Sequence, residues 1–100
     1  MTEKKLDGKN LTMLTDFYEM TMANGYLANG YRDTIAYFDM FFRRVPNSGG
    51  FAIMAGVQQL VDYLNALTFT EEDIGYLRSI GIFNEEFLSY LSDFKFSCDI

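Results

Sequence analysis

The sequence predicts an α+β fold, with helices packed on a short antiparallel sheet. Three observations carry that expectation. Helix-start chemistry recurs at Asp16, Thr70 and Asn84, each followed by apolar residues at helical spacing. A β-branched and aromatic run over 34–44 alternates with period two, as a strand does. A Pro46-Asn47-Ser48-Gly49-Gly50 turn then separates it from a second short apolar run, Phe51 to Ala55, which reads as a hairpin.

Residues 1–10 read as a polar lead-in with a turn at Asp7-Gly8, and 11–100 as one domain. Asp16 is placed to cap the first helix, with Glu19 reaching back in a capping box, and Leu14 or Met13 fixing the approach of the chain. Phe17, Met20 and Leu27 follow helical spacing, with Ala23 and Asn24 between them. Tyr18, Met22 and Tyr26 lie on an adjacent face. So wide an apolar surface implies burial on more than one side. Asn24-Gly25 and Asn29-Gly30 are both exits; the second gives an ordinary helix with Gly30 just past its end.

In the 34–44 strand, Ala36, Phe38, Met40 and Phe42 share one face, with Arg44 at its end, and Ile35, Tyr37, Asp39, Phe41 and Arg43 the other. Gly56 opens a second helix over 57–67, with Val57, Leu60, Val61 and Leu64 as its inward stripe. Thr70 to Asp73 cap a third helix that runs to about Ser79, carries Ile74, Leu77 and Ile80 inward, and is stopped by Gly81. Asn84 starts a fourth, with Phe87, Leu88 and Leu91 inward. The segment Phe94 to Ile100 alternates again, as a half-buried strand. Its unpaired edge implies that the sequence continues into a longer protein.

Composition narrows the function. Hydrophobic residues make up 49% of the chain, which excludes a disordered segment. No apolar run is long enough for a bilayer, so no membrane partner is expected. The charged start lacks the apolar stretch of a signal peptide, and cytoplasm is the expectation. A net charge of −6 argues against a nucleic-acid partner. That charge resides wholly in residues 51–100, since the first half balances six basic against six acidic side chains. A lone cysteine, Cys98, and the absence of histidine exclude an internal disulfide, imidazole catalysis and histidine-based metal sites within these residues.

Few motifs carry chemistry by themselves. Gly49, Gly50 and Gly56 match neither a dinucleotide fingerprint nor a P-loop, and a hairpin turn explains them. Glu71, Glu72 and Asp73, like Glu85 and Glu86, stand in first helical turns, where negative charge complements the exposed amides. Arg43 and Arg44 suit a phosphate or a carboxylate, or else form the solvated end of a strand. Asp16 reads as a cap. Tyr18 is either ordinary core or an aromatic plate for a flat ligand, with its hydroxyl wet.

Taken together, several stretches make a sharper pattern. Thr15-Asp16-Phe17-Tyr18-Glu19-Met20-Thr21-Met22, Phe38 to Pro46, Gly49 to Gly56, Phe69 to Ile74 and Tyr76-Leu77-Arg78 resemble, in order and spacing, the N-terminal part of nicotinate phosphoribosyltransferases. The resemblance covers the chain from about Leu11 to Ile100. It implies a type II phosphoribosyltransferase, whose barrel domain is absent from these residues. The implied enzyme joins nicotinate to phosphoribosyl pyrophosphate, with ATP hydrolysis and Mg2+, giving nicotinate mononucleotide and pyrophosphate for NAD synthesis. It also implies a homodimer with shared active sites.

By resemblance, Tyr18 binds the nicotinate ring and reaches the partner's site, Asp16 lies beside it, and Arg43 or Arg44 contacts phosphate oxygens. The residue after Pro46 departs from the pattern, where Asn47 replaces a bulkier side chain. The catalytic histidine of the family falls outside this chain, so the segment is expected to be inactive, and poorly soluble or self-associating, when alone. The alternatives are a nicotinamide-specific relative and a non-catalytic α+β dimerisation or binding module.

Overall fold

The computed structural model describes residues 9–100, and the Asp7-Gly8 turn lies outside that range. Four α-helices follow in order: α1 (Phe17–Ala28), α2 (Val57–Asn65), α3 (Glu71–Ile80) and α4 (Glu85–Ser92), with a 3-10 turn at Pro46–Ser48. No strand forms among the described residues, so the predicted α+β class, with its antiparallel sheet, is corrected to an all-helical one. Residues 34–44, 51–55 and 94–100 are irregular.

Local signals explain the helices that form. Thr70 and Asp73 close a reciprocal capping box: the Asp73 N–H donates to Thr70 Oγ1 at 3.1 Å, and the Thr70 N–H to Asp73 Oδ2 at 3.0 Å. Gly81 ends α3 at φ 83°, a left-handed conformation open to glycine at little cost. Gly30 plays the same part after α1. The Tyr31 N–H reaches Tyr26 O at 2.9 Å and the Gly30 N–H reaches Leu27 O at 3.3 Å. The Tyr26 and Tyr31 rings meet edge-on across that closure. Both bonds and the ring contact are those of a Schellman ending.

The core is one cluster shared by three helices. Met20 of α1, Ile74 and Leu77 of α3, and Phe87, Leu88 and Leu91 of α4 are its buried members. Met13, Ala23, Leu27, Phe69, Ile80, Phe83 and Tyr90 pack around them. Helix α4 touches both α1 and α3 and is the shared wall. Burying a side chain the size of Leu88 or Phe87 contributes about 1.5–3 kcal/mol each. Polar ties reinforce the cluster: the Asn84 N–H donates to Asn24 Oδ1 at 3.1 Å, joining α4 to α1.

The missing strands have a physical cause. Strand propensity describes the fit of a side chain to a sheet that other strands complete, and two strands alone are marginal in water. No backbone hydrogen bond joins 34–44 to 51–55. Tyr37 and Phe38 are 94% and 91% exposed, so neither predicted face is covered. The turn between the runs has hairpin-type dihedrals, with Asn47 and Ser48 at φ 57° and 54° and the Gly49 N–H reaching Pro46 O at 3.1 Å, yet no ladder continues from it. Without a sheet beneath it, α2 has no fully buried residue; Leu60, Val61 and Leu64 are half-buried and Val57 is exposed. It ends at Asn65 and meets no other helix. At the last segment, Phe94 and Phe96 are half-buried in alternation, yet no ladder accompanies them. The molecule is accordingly elongated, with a radius of gyration of 16.3 Å against about 13 Å for a domain of this length.

Candidate functional site

The start of α1 presents the first pair of candidate residues. Asp16 holds the N-cap position, at φ −77° and ψ 148°, but its side chain makes no capping hydrogen bond. The expected Asp16–Glu19 capping box is replaced by a neighbouring bond, in which Thr15 Oγ1 donates to Glu19 Oε2. Glu19 is thereby turned towards Thr15, and the Asp16 carboxylate stands exposed and without a protein partner among the described residues.

Tyr18 projects from the side of α1 opposite Met20, as two residues of helical rotation require, and is 59% exposed. It is not core in this structure. Met22 and Tyr26 continue its stripe, both exposed, so α1 is apolar on two faces and buried on one. Burial fell to Met20, Ala23 and Leu27, while Phe17 is half exposed and meets Phe83 edge-on at 6.0 Å. Beyond Tyr18, the stripe opens into a shallow concavity lined by Met22, Gly25, Tyr26, Asn29 and Tyr31. Met13, rather than the exposed Leu14, provides the packing before the helix.

Arg43 and Arg44 lie in a bend just before the 3-10 turn, both exposed. Neither makes an ion pair or a side-chain hydrogen bond among the described residues; the one ion pair there joins Arg78 of α3 to Glu85 of α4. The structure therefore brings Asp16 and Tyr18 together on one rigid helix start. It does not bring the arginines into contact with them.

Sequence reasoning passed over a second concave region. A cleft of about 450 Å³ is lined by Leu27, Arg32, Glu86, Tyr90, Asp93 and Lys95, among others. The Arg32 guanidinium lies over the Tyr90 ring, 5.3 Å from its centre. Charges of both signs line it, and nothing in the linear sequence links Arg32 to a residue 58 positions away. No group of three His, Cys, Asp or Glu side chains is gathered for a metal ion among the described residues. Nor is any described helix long and apolar enough to cross a membrane.

Comparison with known proteins adds the family. Residues 13–100 match the model of the nicotinate phosphoribosyltransferase (NAPRTase) N-terminal domain. The chain belongs to that family. Among similar proteins, a nicotinate phosphoribosyltransferase of Mycobacterium tuberculosis is 40% identical over 88 residues, covering 88% of this chain and 19% of the relative. That of Bacillus subtilis is 34% identical over 88 residues, 88% of this chain and 18% of its own. The human enzyme is 41% identical over 68 residues, 68% of this chain and 13% of its own. The chain thus spans about a fifth or less of the length of these curated relatives. All the motifs quoted above fall within the matched span, and so do Asp16, Tyr18, Arg43 and Arg44.

Proposed function

We propose that this chain is the N-terminal segment of a nicotinate phosphoribosyltransferase acting in NAD synthesis, and that α1 contributes one wall of its nicotinate site. In the reaction, the ring nitrogen of nicotinate bonds to the anomeric carbon of phosphoribosyl pyrophosphate. The bond from that carbon to the pyrophosphate oxygen breaks, and pyrophosphate leaves with its electron pair. Family membership supports the activity. The exposed ring of Tyr18, standing on the uncovered face of a family-matched helix, is the observation that carries the site.

A tyrosine ring offers a flat apolar plate at low entropic cost, and its hydroxyl stays in water. Its helix holds it firmly, because Met20 and Leu27 anchor the opposite face. Asp16 has a chemical role compatible with an acid substrate. A free carboxylate repels the carboxylate of bound nicotinate, but it stabilises the ring as the nitrogen becomes cationic on bond formation. Arg43 and Arg44, free of internal ion pairs among the described residues, suit the phosphate oxygens of the second substrate. In this reading the enzyme is a homodimer, with Tyr18 serving the site of the partner. ATP coupling and Mg2+ belong to the same proposal. The described residues gather no metal-ligand set, so no step here is routed through the ion.

The test is Tyr18→Ala in the enzyme carrying this segment, assayed with nicotinate and with nicotinamide. Loss of stacking of about 1 kcal/mol raises the nicotinate KM roughly fivefold. An unchanged KM with a lowered Tm would remove Tyr18 from the site. Preference for nicotinamide would assign the chain to the amide-specific alternative.

A further inference from the structure

Ahead of α1, the chain is tied to a distant loop by an unusual pair of side chains. The Thr68 N–H donates to Thr12 Oγ1 at 2.9 Å, and Asn10 Nδ2 donates to Thr68 O at 2.8 Å. Both backbone groups of one residue are therefore satisfied by side chains 56 and 58 positions earlier. Asn10 Oδ1 also accepts from the Thr12 backbone N–H at 3.0 Å, which ties the Asn10 side chain to the main chain at Thr12. We propose that Asn10 and Thr12 form a positioning clasp, which fixes the Asp16–Tyr18 end of α1 to the link between α2 and α3 through Thr68.

Three features make this more than an incidental contact. Thr12 is 5% exposed and is the one buried polar residue among those described. A hydroxyl at such a place is costly unless bonded, and valine has the same shape without the oxygen, so the acceptor is the property that matters there. There is also little slack between clasp and site. The Leu14 N–H reaches Leu11 O and the Thr15 N–H reaches Met13 O, both at 2.9 Å, so the chain is wound tightly up to Asp16. Finally, the clasp is the long-range hydrogen-bonded tie of that end. The Asn24–Asn84 bond holds the middle of α1, and the remaining link, a 3.5 Å bond from the Tyr63 hydroxyl to Leu11 O, joins the clasp to α2.

The clasp thus adds a tie from residue 68, outside the helix, to the anchoring that Met20 and Leu27 give α1. The positioning itself is independent of any ligand, while its effect on nicotinate binding rests on the role proposed for Tyr18. These 100 residues contain no tryptophan, so in the isolated segment, held dilute enough to be monomeric by sedimentation, Tyr18→Trp places a single fluorescent reporter at the site. In that background, Asn10→Ala and Thr12→Val each lower the tryptophan anisotropy by about a third, as the first turn of α1 gains nanosecond motion. Thr12→Ser keeps the hydroxyl and restores the value. If Thr12→Val fails to fold, Asn10→Ala, at an exposed residue, decides alone.

Unchanged anisotropy below the unfolding transition, with only a lower Tm, overturns the proposal, because a merely stabilising contact behaves that way. In the enzyme with Tyr18 restored, the clasp variants raise the nicotinate KM and leave kcat in place. Lowered anisotropy with an unchanged KM upholds the clasp and removes Tyr18 from the nicotinate site.

Discussion

The α1–α3–α4 cluster and the stretch from 31 to 56 draw on the same stock of large apolar side chains, yet only the first is folded around them. Phe87 and Leu88 are almost fully buried, whereas Phe38, Phe41 and Phe51 are exposed. The difference lies in where each segment finds its backbone partners. A helix bonds to itself within four residues and then needs only one face covered. An extended run needs a neighbour for every amide, and no described residue supplies one here.

The largest expected effect sets the two regions directly against each other. Leu88→Ala opens a cavity in the wall shared by α1 and α3 and costs about 2–5 kcal/mol in denaturant unfolding. Phe38→Ala, at a more voluminous but exposed ring, changes stability by less than about 0.5 kcal/mol. Equal losses at both positions would show that the 31–56 stretch is held in the fold after all. A smaller effect probes the local signals that hold the cluster together. Thr70→Ala removes one arm of the capping box of α3 and costs about 1 kcal/mol by thermal unfolding, although the residue is exposed.

The smallest effect concerns the Arg78–Glu85 pair, two charge-assisted bonds of 2.8 and 3.0 Å between exposed side chains of α3 and α4. The hydrogen bond from Arg78 holds the Glu85 carboxyl below its ordinary range. A depressed carboxylate stabilises the fold above its unfolded pKa, and that contribution is lost as pH falls through the lowered folded value. Glu85→Gln should therefore narrow the gap to the parent as the solution is acidified through that window, with a difference small at any pH and smaller in high salt. A difference that widens on acidification would reverse the assigned sign.

What could be read in the sequence follows the same division. The capping box at Thr70, the stops at Gly30 and Gly81, and the inward residues Ile74, Leu77, Phe87, Leu88 and Leu91 are all where local spacing put them. Asp16 and Tyr18 were legible as a helix start for the same reason. The capping partner was not, because Thr15 competes with Asp16 for the same short reach to Glu19. The strand expectation fails because β-branched and aromatic composition reports suitability for a sheet, not the presence of one. The Asn10–Thr68, Asn24–Asn84 and Arg32–Tyr90 contacts join residues 58 or more apart, and no local pattern announces them.

The exposed stretch between α1 and α2 has one more consequence. It divides the chain into two pieces that each hold part of a single core: Met13, Met20, Ala23 and Leu27 lie before Arg43-Arg44, and the other members of the cluster lie after them. Opening the backbone at that dibasic bend removes no buried contact and breaks no helix. The two halves are then in the relation of complementing fragments, with α1 as a ligand for the groove that α4 offers it, and the covalent link between them acts chiefly as a tether that keeps their effective concentration high.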